Sequence, residues 1–334
     1  MNDTDNTRQE KSLSDGVAEP DSTALVSVAE EAREYIRQSK SENTRRAYKS
    51  DWADFTSWCT EHKRASMPAL PETVALYLSD RAHTLKPSSL QRRMATINQA
   101  HQVAGHESPS KHSTVRAVWQ GIRRSKGVAT KGKEPAITSV IRAMVAHLPE
   151  GRLLSTRDRA LLLLGFAGAM RRSELVGLDV TDISENEDGL VVRIRWSKTD
   201  QEGQGEKVGI PYGSHRETCP VRSVKAWLRD SGITEGALFR AVNRHGQMQP
   251  DRLGDRTVAR VVKRALVAAG KDQETVGNFS GHSLRAGLAT AAAIAGVSER
   301  VIQGQTRHKS LLVLRRYIRD GSLFRENAAA KVGL

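Results

Sequence analysis

Five short segments of the chain carry side chains that could act together: Gly168-Ala169-Met170-Arg171-Arg172-Ser173-Glu174-Leu175, a turn holding Lys198, Gly281-His282-Ser283-Leu284-Arg285-Ala286-Gly287, Arg307-His308-Lys309-Ser310, and Arg315-Arg316-Tyr317. The residue types suit a phosphodiester. Breaking one without water or metal needs a nucleophile, a charge clamp, a base and an acid. Tyrosine gives a covalent aryl phosphate that conserves the bond energy, and its free pKa of about 10 means that it needs activation. Two guanidinium forks can hold both non-bridging oxygens. A lysine on a hairpin can protonate a leaving oxygen.

The order of these boxes is specific. Arg-x-Ser-Glu-Leu, a hairpin lysine, His-x-x-Arg, and a histidine followed nine residues later by tyrosine resemble the tyrosine recombinases of the phage-integrase type. The resemblance runs from about residue 25 to the end and is closest in plan to the simple Cre-like recombinases. It implies that Tyr317 is the nucleophile, forming a 3′-phosphotyrosyl link and releasing a 5′-hydroxyl. Arg171 and Arg285 would hold the scissile phosphate, and Lys198 would be the general acid. His282 would assist proton transfer from the tyrosine, His308 would hydrogen-bond the phosphate, and Glu174 would be a supporting acid that orients the site. Two rivals remain open at this point: Arg172 beside Arg171, and Lys207 on the returning strand against Lys198. The chain also departs from the family pattern. Arg307 stands where glycine is common, and Cre-like recombinases have tryptophan at the place of His308.

Composition agrees with a polyanionic partner. The formal net charge is +14, and residues 1–24 carry −4, which leaves +18 on residues 25–334. Nucleic acid is the first candidate for such a body. No apolar run reaches the roughly 18 residues of a membrane span, and the polar, acidic N-terminus fits neither a secretory signal nor a transit peptide. Cys59 and Cys219 form no metal knuckle or disulfide framework, which points to a reducing cytosol. The ten histidines show no metal-site spacing and no P-loop is present, so no metal, nucleotide or other cofactor is expected.

The elements that must position these side chains can be read from pattern. Residues 1–24 are expected to be disordered and too short for a separate DNA-binding domain. Ala32, Tyr35 and Ile36 fit one helical face. Tyr48, Trp52, Phe55 and Trp58 follow at spacings of four, three and three, the period of a buried helical stripe. A short helix follows Pro71, another opens at Pro87 with Leu90, Met94 and Ile97 inward, and a last one covers roughly 111–124. An all-helical domain over 25–124 results. Residues 125–135 read as a basic linker. In 136–320, Ala160–Leu164 suits a buried helix, 189–196 and 207–211 suit two antiparallel strands, and helices are expected near 219–231, 255–269, 282–295, 298–305 and 310–318. The predicted fold is mainly α. The resemblance makes the first domain a SAM-like core-binding domain and the second a mixed α/β catalytic domain with a small antiparallel sheet. Residues 321–334 read as a short apolar helix that packs on its own domain or, the favoured alternative and the one the resemblance implies, docks on a neighbouring protomer.

The resemblance places base readers on the helix after Pro87, where Gln91 and Arg92 are expected in that role and Arg93 beside them is a candidate for DNA contact. Arg45, Arg46 and Arg256 are further candidates for DNA contact. The resemblance implies double-stranded DNA with an inverted-repeat target site, a homotetramer on two sites, a Holliday-junction intermediate and a cytoplasmic, nucleoid-associated location, with an accessory protein as a further candidate partner. Two other readings compete: a type IB topoisomerase-like enzyme that relaxes DNA, and a DNA-binding protein with an inactive site.

Overall fold

The computed structural model describes residues 31, 34–35, 39–128, 132–197, 204–322, 329 and 332. The chain divides into two compact units, Met1–Thr130 and Lys131–Leu334.

The first unit is built on four helices: α1 (Glu42–Glu61), α2 (Pro71–Ala82), α3 (Pro87–Val103) and α4 (Ser113–Lys126). Their starts follow local chemistry. Ser41 caps α1, its hydroxyl accepting from the Thr44 amide at 3.3 Å, and α2 and α3 each begin on proline, whose missing N–H costs nothing there. The aromatic stripe turns inward: Phe55 and Trp58 are buried and Trp52 packs against them. Tyr77 of α2 meets both edge-on, at ring separations of 5.0 and 5.5 Å. Leu90 and Ile97 of α3 complete the core with Val115 of α4, and Met94 packs on its margin. His101 is fully buried, its Nε2 accepting from the Ala69 amide at 2.8 Å and its Nδ1 donating to the Ile97 carbonyl at 2.8 Å. Of the face expected at Ala32, Tyr35 and Ile36, only Tyr35 lies among the described residues; it is helical and exposed.

In the second unit come α5 (Thr138–Ala146), α6 (Leu153–Ala167), α7 (Arg172–Gly177), β1 (Ile183–Asn186), β2 (Gly189–Ile194), β3 (Glu206–Pro211), α8 (Pro220–Ser231), β4 (Arg240–Val242), β5 (Met248–Arg252), α9 (Asp255–Ala268), α10 (Gln273–Gly277), α11 (His282–Ile294), α12 (Glu299–Thr306) and α13 (Leu311–Ser322). The expected hairpin is the β2-β3 pair, the central strand and one edge of a three-stranded antiparallel sheet in the order β1-β2-β3, with Leu190 opposite Ile210 and Val192 opposite Val208. Leu190, Val192 and Ile194 alternate inward and are buried. The strand ends at Ile194, two residues before the expected end at 196. A second hairpin, β4-β5, was not expected. Leu161, Leu162 and Leu164 of α6 are fully buried, and α11 crosses this helix.

Gly287 lets another segment pass α11 at backbone contact: a β-carbon there would lie 2.1 Å from the Ala136 carbonyl oxygen. The Ala136 amide in turn donates to the Ser283 carbonyl at 2.9 Å. The expected C-terminal docking helix of 321–334 falls almost wholly outside the described residues. Its first two residues close α13, and Val332 is exposed.

Candidate active site

The turn after α6 organises the centre. Ala169 takes a left-handed conformation, φ 45°, and closes the helix with the Met170 amide donating to the Gly165 carbonyl at 3.0 Å. This buried turn directs the Ala169 carbonyl at Arg285, whose Nη1 donates to it at 2.7 Å. Arg171 begins α7, and Glu174 in the first turn reaches back to accept from the Arg171 amide at 2.9 Å, the acidic half of a capping box. The Arg171 guanidinium donates to Oε1 of Glu174 at 2.5 Å.

Burial alone pushes the Glu174 carboxyl up. The backbone and side-chain hydrogen bonds from Arg171, with the charges of Arg307 and Arg171, outweigh burial and hold it below the usual carboxylate range. Arg285 is buried, and its Nη2 has no hydrogen-bond partner among the described residues. Burial first, then the charge of Arg171, pushes its pKa down to about 10. An unpaired buried donor costs roughly 1–3 kcal/mol, so this atom is poised for an acceptor supplied from outside.

Tyr317 on α13 sits half-buried against Ala289 and Ala293 of α11, Ile302 of α12 and Leu314. Its hydroxyl is 2.9 Å from Nε2 of His282, and its ring centroid is 5.9 Å from that of His308. Burial, then the charges of Arg285, Arg171 and Arg172, lowers the His282 pKa. The neutral ring is therefore favoured at neutral pH, with Nε2 able to accept the phenolic proton.

His308 is held lower still, at about 4, by burial and the charges of Arg285 and Arg171, with smaller contributions from His282 and Arg307. Its Nδ1 lies 2.7 Å from the Thr306 hydroxyl, which donates to the Ile302 carbonyl at 2.7 Å. The hydroxyl is thus the acceptor toward Nδ1. The neutral ring carries its proton there and leaves a lone pair on Nε2. It becomes a donor at Nε2 on taking up a proton, which a phosphate's negative charge favours.

Arg171, Glu174, His282, Arg285, His308 and Tyr317 therefore converge from four separated segments. Lys198 lies outside the described residues. Its rival Lys207 pairs across the sheet with Arg193. Arg172 runs along Gly281 beside His282 and ends 3.6 Å from Asp255. Arg307, which the sequence marked only by its departure from glycine, is buried among these groups. Its Nη2 donates to Glu174 at 3.0 Å and its Nη1 to the Gly168 carbonyl at 2.9 Å. Arg171 and Arg307 both bond the buried carboxylate of Glu174, and Arg285, held on the Ala169 carbonyl, lies within reach of its charge. Among the described residues no group of histidine, cysteine and acidic side chains could hold a metal ion.

The Phage integrase family matches residues 138–322, and the Phage integrase N-terminal SAM-like domain matches residues 33–108. The chain belongs to the phage integrase family. Its relatives include the Integrase/recombinase xerD homolog of Selenomonas ruminantium, 39% identical over 300 residues that cover 89% of this chain and 87% of the relative. Recombinase cre of Escherichia phage P1 is 26% identical over 304 residues, 85% and 86% of the two chains. In fold the chain is similar to a lambda integrase tetramer bound to a Holliday junction, with a TM-score of 0.57 at 17% identity, covering 91% of this chain and 79% of that one. This phage integrase relative is a tyrosine recombinase, an enzyme of site-specific DNA recombination, with a SAM-like helical unit ahead of a catalytic unit.

The expected DNA-contact residues are placed unequally. Gln91, Arg45, Arg46 and Arg256 are exposed, with Arg46 paired to Glu42 one turn earlier. Arg92 is half-exposed and grips the buried Asp51 with Nε and Nη2 at 2.7 and 2.9 Å. Arg93 departs from the expectation of a DNA contact. It is turned inward, bonded to Asp54 and donating to the Tyr77 hydroxyl at 2.6 Å. The reason is electrostatic: Asp51 and Asp54, nearly one turn apart on α1, face α3 and draw both arginines back.

Proposed function

We propose that the enzyme cleaves one DNA strand at a time through Tyr317, forming a 3′-phosphotyrosyl bond and freeing a 5′-hydroxyl. A 5′-hydroxyl from a partner duplex then attacks the phosphotyrosine and restores the tyrosine. Bond energy is conserved in both steps, so no ATP is required. Arg171 and Arg285 hold the non-bridging oxygens, neutral His282 takes the phenolic proton, and protonated His308 adds a hydrogen bond to the phosphate. Lys198 is the proposed acid for the leaving oxygen. The observation that carries this reading is the 2.9 Å contact between Tyr317 and His282, whose neighbour Arg285 has a buried Nη2 with no partner among the described residues: a nucleophile with its base lies near a donor suited to a phosphate oxygen.

The target is an inverted repeat of double-stranded DNA, with four protomers on two sites and exchange through a Holliday junction. The lambda integrase tetramer on such a junction, similar in fold, supports that assembly. Gln91, Arg45, Arg46 and Arg256 are the proposed direct contacts, with Arg92 at their margin. An accessory protein and a cytoplasmic, nucleoid-associated location belong to the same reading. Among the described residues no helix is long and apolar enough to cross a membrane.

The test is a nicked suicide substrate, in which loss of a short strand traps the covalent intermediate. Wild type should accumulate a protein–DNA adduct and Tyr317→Phe none. No adduct from wild type, or an undiminished one from Tyr317→Phe, removes the mechanism.

A further inference from the structure

Arg307 occupies a position where its own backbone resists it. It ends α12 in a left-handed conformation, φ 54°, which glycine adopts freely and other residues at a cost of roughly 1–2 kcal/mol. A side chain retained there must return something in exchange, and the contacts show what.

The guanidinium is nearly enclosed and reaches three parts of the site. Toward α7 it donates from Nη2 to Oε2 of Glu174 at 3.0 Å, while Arg171 takes Oε1 of the same carboxylate. Toward the turn after α6 it donates from Nη1 to the Gly168 carbonyl at 2.9 Å, and Nη2 lies 3.5 Å from the Ala169 carbonyl, the oxygen that also holds Nη1 of Arg285. Toward the sheet its Nε stands 3.5 Å from Glu206 at the start of β3.

Each phosphate-clamping arginine therefore shares its protein anchor with Arg307: Arg171 through the Glu174 carboxylate, and Arg285 through the Ala169 carbonyl. The planar fork suits this division, since one group meets acceptors in separate directions at fixed angles. A lysine ammonium has the charge without that geometry.

We propose that Arg307 is a positioning residue for the catalytic clamp, locking Glu174 and the Gly168–Ala169 carbonyls in place so that Arg171 and Arg285 are aligned on the scissile phosphate before DNA arrives. This rests on the mechanism proposed above. Arg307 does not touch the substrate; it acts through the two arginines that do. Its loss belongs in the rate of strand cleavage on bound DNA and not in DNA affinity, because the exposed DNA-facing groups are untouched. Misplacing a reacting group by about 1 Å costs on the order of 100-fold in rate.

The experiment compares wild type, Arg307→Gly and Arg307→Lys on the nicked suicide substrate, with first-order cleavage measured at saturating DNA and affinity measured separately. Glycine removes the fork and suits the left-handed backbone, so this variant should fold; its melting transition is recorded alongside. Arg307→Gly should cleave about 100-fold more slowly with affinity within about threefold. Added guanidinium ion should restore part of the rate, and Arg307→Lys should remain defective. Three results would overturn the proposal: a wild-type rate in Arg307→Gly, full activity in Arg307→Lys, or a loss confined to affinity. Absence of adduct from wild type itself would instead strike the tyrosine mechanism, so the two failures are distinguishable.

Discussion

Replacing Glu174 by glutamine should destabilise the catalytic unit by about 3 kcal/mol, with almost no change in shape. The glutamate side chain is fully enclosed and accepts from the Arg171 amide at 2.9 Å, the Arg171 guanidinium at 2.5 Å and the Arg307 guanidinium at 3.0 Å. Glutamine keeps one oxygen and turns an NH2 toward a guanidinium that has only donors. Of three charge-assisted bonds, each worth about 1.5–3 kcal/mol, at least one guanidinium bond is lost outright and those that remain fall on a neutral oxygen. The reduced desolvation of a neutral side chain offsets part of the loss. The remainder approaches the roughly 3–5 kcal/mol cost of breaking a buried ion pair by removing one partner.

Urea unfolding of the full chain reads this directly. Trp227 is buried in the second unit, with its indole N–H on the Leu238 carbonyl at 2.8 Å, and reports that unit's transition. The pH dependence has a definite sign. The folded carboxyl lies below its unfolded value, so its contribution is fully present above about pH 5 and is lost as pH falls through the folded value. The gap between wild type and Glu174→Gln should be constant at neutral pH and narrow in acid. A difference under about 1 kcal/mol, or a gap that widens in acid, would refute the assigned network.

Gly287→Ala should cost about 3 kcal/mol through the clash with the Ala136 backbone; an unchanged melting temperature would show that this crossing yields easily. Ala169→Gly should be neutral or raise stability by up to about 1 kcal/mol, because it relieves a left-handed alanine; a clear loss in urea unfolding would contradict that reasoning. His308 is held at about 4 in the folded chain, so the unfolded chain protonates first and stability falls as pH drops from about 6.5 toward 4. His308→Phe should flatten that acid limb in pH-resolved unfolding curves. DNA binding by wild type should take up a proton at His308, seen as a buffer-dependent heat in calorimetry and lost in the same variant; equal heats in all buffers would oppose it.

The proposed reacting groups stood out through the family resemblance, whose boxes admit few residue types at a narrow spacing: His282 three before Arg285, and Tyr317 nine after His308. The helices carrying them were legible from apolar period. The sheet was legible only where alternation is buried, at Leu190, Val192 and Ile194. β1 reads Ile-Ser-Glu-Asn, and only Ile183 of that strand packs against the core. β4 and β5 have no fully buried face, so neither hairpin edge gives a periodic signal. Arg93 was misread because its destination depends on aspartates 39 and 42 residues earlier on another helix. Arg307 gave a signal in its departure from glycine. The left-handed backbone and the carbonyls that receive its side chain become visible only when Gly168 and Arg307, 139 residues apart, are brought together.

The central claim is that one tyrosine of five, Tyr317, attacks the phosphate. Its most direct test is to trap wild type on a nicked suicide substrate, digest the adduct and locate the nucleotide by mass spectrometry. The account predicts a 3′-phosphate ester on the peptide containing Tyr317 and on no other. An adduct on Tyr35, Tyr48, Tyr77, Tyr212 or a serine, or linkage through a 5′-phosphate, would contradict it.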